Sequence, residues 1–236
     1  MKKLSSLSIF FPSLNDAQIL PELIKKAFTV AKKVSNDFEV IIINDGSSDN
    51  TREVLDTLKS KYSFLTIIHH NRNRGYGAAL ISGFKNSTKD WVFYTDGDGQ
   101  YDPEELSLLL TKLDEKTDVV NGFKIKRSDK KRRKYLGSAY NKILHKIYDI
   151  PISDIDCDFR LIKNSCMKKI ALSSTSGLIC LELILKLKKI NAQFKEIGVN
   201  HYPRKYGKSQ FFNLSKLFQT FCDHAIFFVH QHLPTS

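Results

Sequence analysis

The chain has 236 residues, with 37 Lys+Arg against 25 Asp+Glu and a formal net charge of +12 at pH 7. Hydrophobic residues make up 42% and charged residues 26%, which excludes a disordered chain, a collagen-like repeat and a disulfide-dense mini-protein. Such a length suits one large α/β domain, or one domain with an extension, and can bury a full core.

Four cysteines, Cys157, Cys166, Cys180 and Cys222, form no CxxC or CxxH pair. They therefore predict free thiols in a reducing compartment rather than a zinc or dithiol site. The apolar run Leu7–Phe11 ends at Pro12, too short for a signal-peptide core. No stretch reaches the ~20 apolar residues that cross a bilayer. Together these features predict a cytoplasmic protein.

In chain order, Leu7–Phe11, Phe38–Asn44, Leu65–His69 and Trp91–Thr95 are short apolar runs rich in β-branched or aromatic residues. Their continuous apolarity predicts strands buried on both faces of a parallel sheet, and Asp118–Gly122 is a weaker candidate for the same sheet. Between them, Leu20, Leu23, Ile24, Ala27, Phe28 and Ala31 form a stripe at helical spacing. Val54, Leu55 and Leu58 do the same after Thr51, with Ser48 or Asp49 as the cap. Pro103-Glu104-Glu105 starts a further helix that buries Leu106, Leu109, Leu110 and Leu113.

After Gly122 the rhythm changes. Eight of the eleven residues from Lys124 to Lys134 are basic, a run that favours an anionic partner: nucleic acid, lipid phosphate or a membrane surface. Then come a helical segment around Tyr140–Tyr148, a polar knot at Ser153–Arg160, a helix around Leu178–Lys189 and a strand at Ile197–Tyr202. The segment Phe211–His230 carries Leu214, Leu217, Phe218, Phe221, Ala225, Phe228 and Val229 on one helical face. It reads as an amphipathic helix that faces a membrane, a partner or the domain's own core. The division expected is one α/β domain over residues 1–210 and this helix over 211–236.

Strand–helix alternation predicts a doubly wound, mostly parallel sheet flanked by helices, with its site at the strands' carboxyl ends. The loops after the four strands are polar and glycine-rich: Pro12–Asp16, Asn44–Thr51, Asn73–Ala79 and Thr95–Gln100. Asp96 and Asp98 stand at a strand end, one residue apart, and offer hard oxygen ligands to Mg²⁺ or Mn²⁺; Gln100 could add a carbonyl. Asp and Gly favour turns in any case, and a plain turn is the stronger reading of these residues alone; the metal site gains weight from the strand before them and the loops around them. Asp45 is placed to accept hydrogen bonds from a ribose or base. Gly75 and Gly77 permit close backbone approach, and Arg74 adds a cation for phosphate.

This combination resembles the inverting family 2 glycosyltransferases with the GT-A fold, most closely the dolichyl- and polyprenyl-phosphate glycosyltransferases. The carrying residues are Pro12…Asn15-Asp16, Asn44–Thr51, Asn73–Ala79 and Asp96–Gln100…Pro103-Glu104. Further matches are Asp154…Asp156–Arg160, Glu182, Glu196-Ile197 and Pro203-Arg204…Gly207-Lys208-Ser209. The resemblance implies that a sugar moves from a nucleoside diphosphate, with inversion, to a polyprenyl phosphate or a glycan hydroxyl. It implies a protein peripheral at the inner face of the membrane, with a small membrane partner protein conceivable. By it, Asp45, with Pro12, Asn15, Asp16, Gly46, Ser47, Arg74 and Gly75, would hold the nucleotide. Asp98, Gln100 and Asp96 would hold the ion. Arg127, Arg133 and Ser138 would lie near donor or acceptor phosphates, and Arg204 and Ser209 would handle phosphate. Asp16 replaces the usual Glu, and Asp158 stands where many members have Gly. A hydroxyl acceptor would need a base, for which Asp156 or Asp158 is the candidate. A nucleic-acid-binding protein is the remaining alternative, disfavoured because carboxylate-lined loops repel phosphate backbones.

Overall fold

A computed structural model describes residues 3–125 and 142–206. The elements are β1 (Leu7–Ser13), α1 (Leu20–Val34), β2 (Phe38–Asn44), α2 (Thr51–Lys61), β3 (Leu65–His69), α3 (Tyr76–Asn86) and β4 (Trp91–Thr95). There follow a 3₁₀ turn (Pro103–Glu105), α4 (Leu106–Leu110), β5 (Val119–Lys124), β6 (Phe159–Lys163), the single turn α5 (Asn164–Met167), α6 (Ile179–Lys189) and β7 (Phe194–Val199). Residues 142–148 are also helical.

The seven strands form one sheet in the order β3-β2-β1-β4-β6-β5-β7. Neighbours pair in parallel except at β6, which runs antiparallel to both β4 and β5. β1 and the apolar part of β2 are fully buried, as strands covered on both faces must be. On one face Leu7, Ile9 and Phe11 pack with Leu20, Leu23, Ile24 and Ala27 of α1 and with Leu106, Leu109 and Leu110 of α4. On the other, Phe10, Ile41 and Ile43 pack with Leu80 and Phe84 of α3 and with Ile179, Leu183, Ile184 and Leu187 of α6. The result is a three-layer α/β/α sandwich, so the fold is the one expected.

Several local expectations are corrected. The last strand lies at Phe194–Val199 rather than Ile197–Tyr202, because Asn200 and Tyr202 bond to Glu105 and Gln100 instead of to a neighbouring strand. The helix from Pro103 begins as a 3₁₀ turn, with the Asp102 carboxylate accepting the Glu104 N–H, and ends at Leu110. Phe159 and Arg160 belong to β6 rather than to a polar loop, and the wholly buried Arg160 hid that strand's apolar pattern. The N-cap of α2 is Asn50, without a side-chain capping bond, rather than Ser48 or Asp49; Asp49, one residue earlier, accepts the Thr51 N–H at 3.0 Å. Cys157, Cys166 and Cys180 are free and buried; burial pushes the Cys157 thiol up to about 12, which leaves it unreactive. Cys222 and the segment 211–236 lie outside the described residues. Among the described residues no helix is long and apolar enough to cross a membrane.

Gly83 on α3 tests how rigid this packing is. A methyl at Gly83 would land in the Phe10 ring, which Tyr94 stacks at 5.3 Å and Phe84 meets edge-on at 5.0 Å. Helix propensity alone favours Ala over Gly by about 1 kcal/mol, but overpacking a fixed ring costs about 1–3 kcal/mol. Gly83→Ala is therefore expected to lower the urea unfolding midpoint; a raised midpoint would show that the ring can yield.

Candidate active site

From β1 the chain builds outward through β2 to β3, then returns to lay β4 on the other side of β1. The boundary between β1 and β4 is therefore where the strand order reverses, the usual place for a ligand crevice in such sheets. Backbone bonds stitch its wall together. The Gly97 N–H donates to the Pro12 carbonyl at 3.1 Å, and the Asp45 N–H to the Ser13 carbonyl at 2.9 Å. Asn15, in the left-handed region at φ 59°, donates its N–H to Ser47 Oγ at 2.9 Å and accepts the Ser48 N–H at 2.8 Å. Gly46, at φ 69°, lies so close to the Arg72–Asn73 backbone that any Cβ would overlap it. Pro12, Asn15, Asp16, Asp45, Gly46 and Ser47 thus occupy one patch.

Asp45 is buried at the end of β2. Its carboxylate accepts the N–H groups of Arg74 at 2.9 Å and Gly75 at 3.0 Å, and Oδ1 lies 2.6 Å from Nδ1 of His70. The other ring nitrogen of His70 lies 2.8 Å from Ser82 Oγ. Of the four lone-pair positions of the carboxylate, one on Oδ2 remains for a ligand. Asp45 therefore organises the glycine loop, which the sequence reading had not foreseen. His70 was missed as well, since its spacing carries no signal and only the fold brings it to Asp45. The Arg74 residue is exposed beside Gly75.

At the end of β4, Asp96 Oδ1 accepts a hydrogen bond from the Tyr76 hydroxyl at 2.8 Å. Burial, then the negative charges of Asp158 and Asp98, hold the Asp96 carboxyl well above the usual carboxylate range. Asp98 Oδ1 accepts the Gln100 N–H at 2.9 Å, and Oδ2 lies 2.8 Å from Nη2 of Arg204. Gln100 also ties the chain after β7 to this rim: its side-chain NH₂ donates to the Tyr202 carbonyl at 3.1 Å, and the Tyr202 N–H donates to the Gln100 carbonyl at 2.8 Å. Those bonds bring in Arg204 from more than a hundred residues away. Asp16 accepts the Leu14 N–H at 3.0 Å, and burial lifts its carboxyl to about 6, against the pull of that N–H and of Arg204.

One residue beyond the Thr95–Phe159 pair of β4 and β6 lies Asp158. Its carboxylate is 3.4 Å from Arg160 Nη1, 3.4 Å from the Tyr94 hydroxyl and 3.3 Å from Cys180 Sγ. Arg160 also donates to Asn121, Tyr94 and the Ile155 carbonyl, so the Asp158 carboxylate is matched by a buried cation. Asp156 is exposed.

Asp96 and Asp98 suit a hard divalent cation. Among the described residues no group of three or more acidic, His or Cys side chains could hold one alone. Two carboxylates fit an ion that completes its shell with water and substrate phosphate oxygens. Lys124, first of the basic run, lies 3.6 Å from Asp154. Arg127, Arg133, Ser138 and Ser209, and the rest of that run, lie outside the described residues.

A mixed sheet of this order, with an Asp-Gly-Asp turn at the β1/β4 crevice, defines an α/β protein of the GT-A class. Residues 8–171 match the model of the glycosyl transferase family 2, and the chain belongs to that family. Among solved structures it is similar to glucosyl-3-phosphoglycerate synthase from Mycobacterium tuberculosis in complex with Mn²⁺, UDP and phosphoglyceric acid. There the TM-score is 0.74 at 15% identity, over 98% of this chain and 80% of that one. The same enzyme with Mn²⁺ and UDP-glucose gives 0.73 at 15% identity, over 98% and 81%. A further mycobacterial protein gives 0.73 at 14% identity, over 98% and 76%.

Asp16 generates a pH prediction. Its carboxyl binds a proton more tightly folded (about 6) than at the ordinary value of 3.8. The stability it contributes is thus fully present below the unfolded value and lost as pH rises through about 6. At 1.36 kcal/mol per unit the loss reaches at most about 3 kcal/mol. Asp16→Asn should flatten this fall, seen as urea midpoints at pH 5 and pH 7 that lie closer together than in the unaltered protein.

Proposed function

We propose that the chain transfers a sugar from a nucleoside diphosphate, with inversion at the anomeric carbon, to a phosphate-bearing acceptor, and that this acceptor is a polyprenyl phosphate met at the membrane surface. The observation that carries the reading is the meeting of Asp96, Asp98 and Arg204 at the β1/β4 crevice, with Arg204 Nη2 2.8 Å from Asp98. In support, the similar structures hold Mn²⁺ with UDP and phosphoglyceric acid, or Mn²⁺ with UDP-glucose.

In this reading Asp96 and Asp98 hold Mg²⁺ or Mn²⁺, with Gln100 beside them. When bound, the ion offsets the charge that develops on the departing nucleoside diphosphate. Asp45 uses its remaining acceptor position on the nucleoside. Pro12, Asn15, Asp16, Gly46, Ser47 and Gly75 wall that pocket, and Arg74 meets phosphate from the surface. Arg204, 2.8 Å from Asp98, would meet the diphosphate, for which its planar fork is suited. A phosphate monoester is already anionic near neutral pH, so its oxygen attacks without a base. The basic residues 124–134, among them Arg127 and Arg133, with Ser209, offset the meeting of two anions. A hydroxyl acceptor would need a base, and Asp158 is engaged by Arg160, Tyr94 and Cys180. One domain reaching about residue 210 and an amphipathic helix after it would serve access to a membrane-borne acceptor.

The test incubates purified protein and Mn²⁺ with a panel of UDP- and GDP-sugars, with and without short polyprenyl phosphates or a glycan. Glycosyl polyprenyl phosphate is the expected product, and transfer to the glycan alone would overturn the acceptor. Asp98→Ala is expected to lower turnover at least about 100-fold with an unchanged urea midpoint. Full activity in that variant would refute the site.

A further inference from the structure

Glu182, in the first turn of α6, is wholly buried, yet its carboxylate lies outside the Asp-rich crevice. It accepts the N–H and hydroxyl of Ser173, each at 3.0 Å, and the Ser174 N–H at 2.8 Å, with Lys186 Nζ at 2.6 Å. Against the cost of burial, Lys186 and Ser174 hold its carboxyl below the usual range. The backbone it pins is the surface on which the glycine loop rests. The Gly77 N–H donates to the Thr175 carbonyl at 2.9 Å. A Cβ on Gly75 would come within 2.5 Å of the Thr175 oxygen, and one on Gly77 would overlap the Ser174 carbonyl. Between these glycines stands Tyr76, whose hydroxyl meets Asp96 at 2.8 Å.

We propose that Glu182 is a positioning residue for the donor site: by fixing residues 173–175 it seats the Gly75–Gly77 turn and aims the Tyr76 hydroxyl at Asp96. This rests on the reading of the crevice as a sugar-nucleotide site. The turn is gripped from two sides, by Asp45 at the N–H groups of Arg74 and Gly75 and by Thr175 at Gly77. Loosening the second grip leaves the first in place. The consequence falls on the aim of Tyr76 rather than on the fold, and small misplacements near reacting groups cost large factors in rate.

A double-mutant cycle on the full chain separates this role from a merely structural one. Binding of Mn²⁺ with UDP or GDP is measured by calorimetry, alongside urea midpoints, for Glu182→Gln, Tyr76→Phe and the pair. Each single change is expected to weaken nucleotide binding about tenfold, and the pair no more than about threefold beyond the worse single, since both break one chain of contacts. Independent effects, multiplying to about 100-fold, would overturn the inference, as would undiminished binding in Glu182→Gln. Lys186→Met removes the cation, with its bond to the Ala171 carbonyl, but leaves the three loop donors on Glu182; it is expected to bind within twofold of the unaltered protein, and a tenfold loss there would assign the effect to Lys186 instead. If Glu182→Gln does not fold, Ser173→Ala takes its place in the cycle with the same expectations. Failure of the unaltered chain to bind either nucleotide, or undiminished binding in Asp98→Ala, would overturn the sugar-nucleotide reading itself. An additive cycle with binding lost in Asp98→Ala overturns only the role of Glu182.

Discussion

Like charges crowd the carboxyl ends of β1 and β4. Asp16, Asp96, Asp98 and Asp158 gather there, and two carboxylates 4 Å apart repel by about 4 kcal/mol at the effective dielectric of a protein surface. Arg204 answers Asp98 and Arg160 answers Asp158. Asp96 accepts a hydrogen bond from the Tyr76 hydroxyl, which pulls its carboxyl down, but burial and the charges of Asp158 and Asp98 hold it well above the usual range. A crevice so balanced attracts positive charge, and a divalent ion carrying a diphosphate supplies it in a form whose own anions face the remaining cations.

The same balance accounts for Asp158. Its carboxylate would be costly beside Asp96 without a partner. Arg160 takes that place from within the sheet, with Tyr94, Asn121 and the Ile155 carbonyl completing its bonds. Breaking such a buried pair on one side strands a charge and costs about 3–5 kcal/mol. The acid and the arginine are therefore one unit.

Precision at the crevice is supplied by backbone more than by side chains. Gly46 fits against Arg72–Asn73, and Gly75 and Gly77 fit against Ser174 and Thr175, at distances that admit no Cβ. Buried carboxylates at Asp45 and Glu182 hold the N–H groups of these turns. Asp45 thus combines support of the glycine loop with one acceptor position still open to a ligand.

Much of this was legible in the residues themselves. The four strands Leu7–Phe11, Phe38–Asn44, Leu65–His69 and Trp91–Thr95 announced themselves as largely apolar runs, and the loops after them by Asp, Asn and Gly; both signals are local, because burial and turn formation act on consecutive residues. β6 was not legible, because an arginine buried near the start of a strand looks like solvent until Asn121 and Tyr94 are brought to it from elsewhere in the chain. His70 beside Asp45, Tyr76 on Asp96, Arg204 on Asp98 and Glu182 beneath Ser173–Ser174 follow the same rule. Sequence determined the elements and the chemistry available at their ends; only the tertiary structure decided which charges meet, because Coulomb and hydrogen-bond partners are chosen by distance in space, which spacing along the chain does not encode.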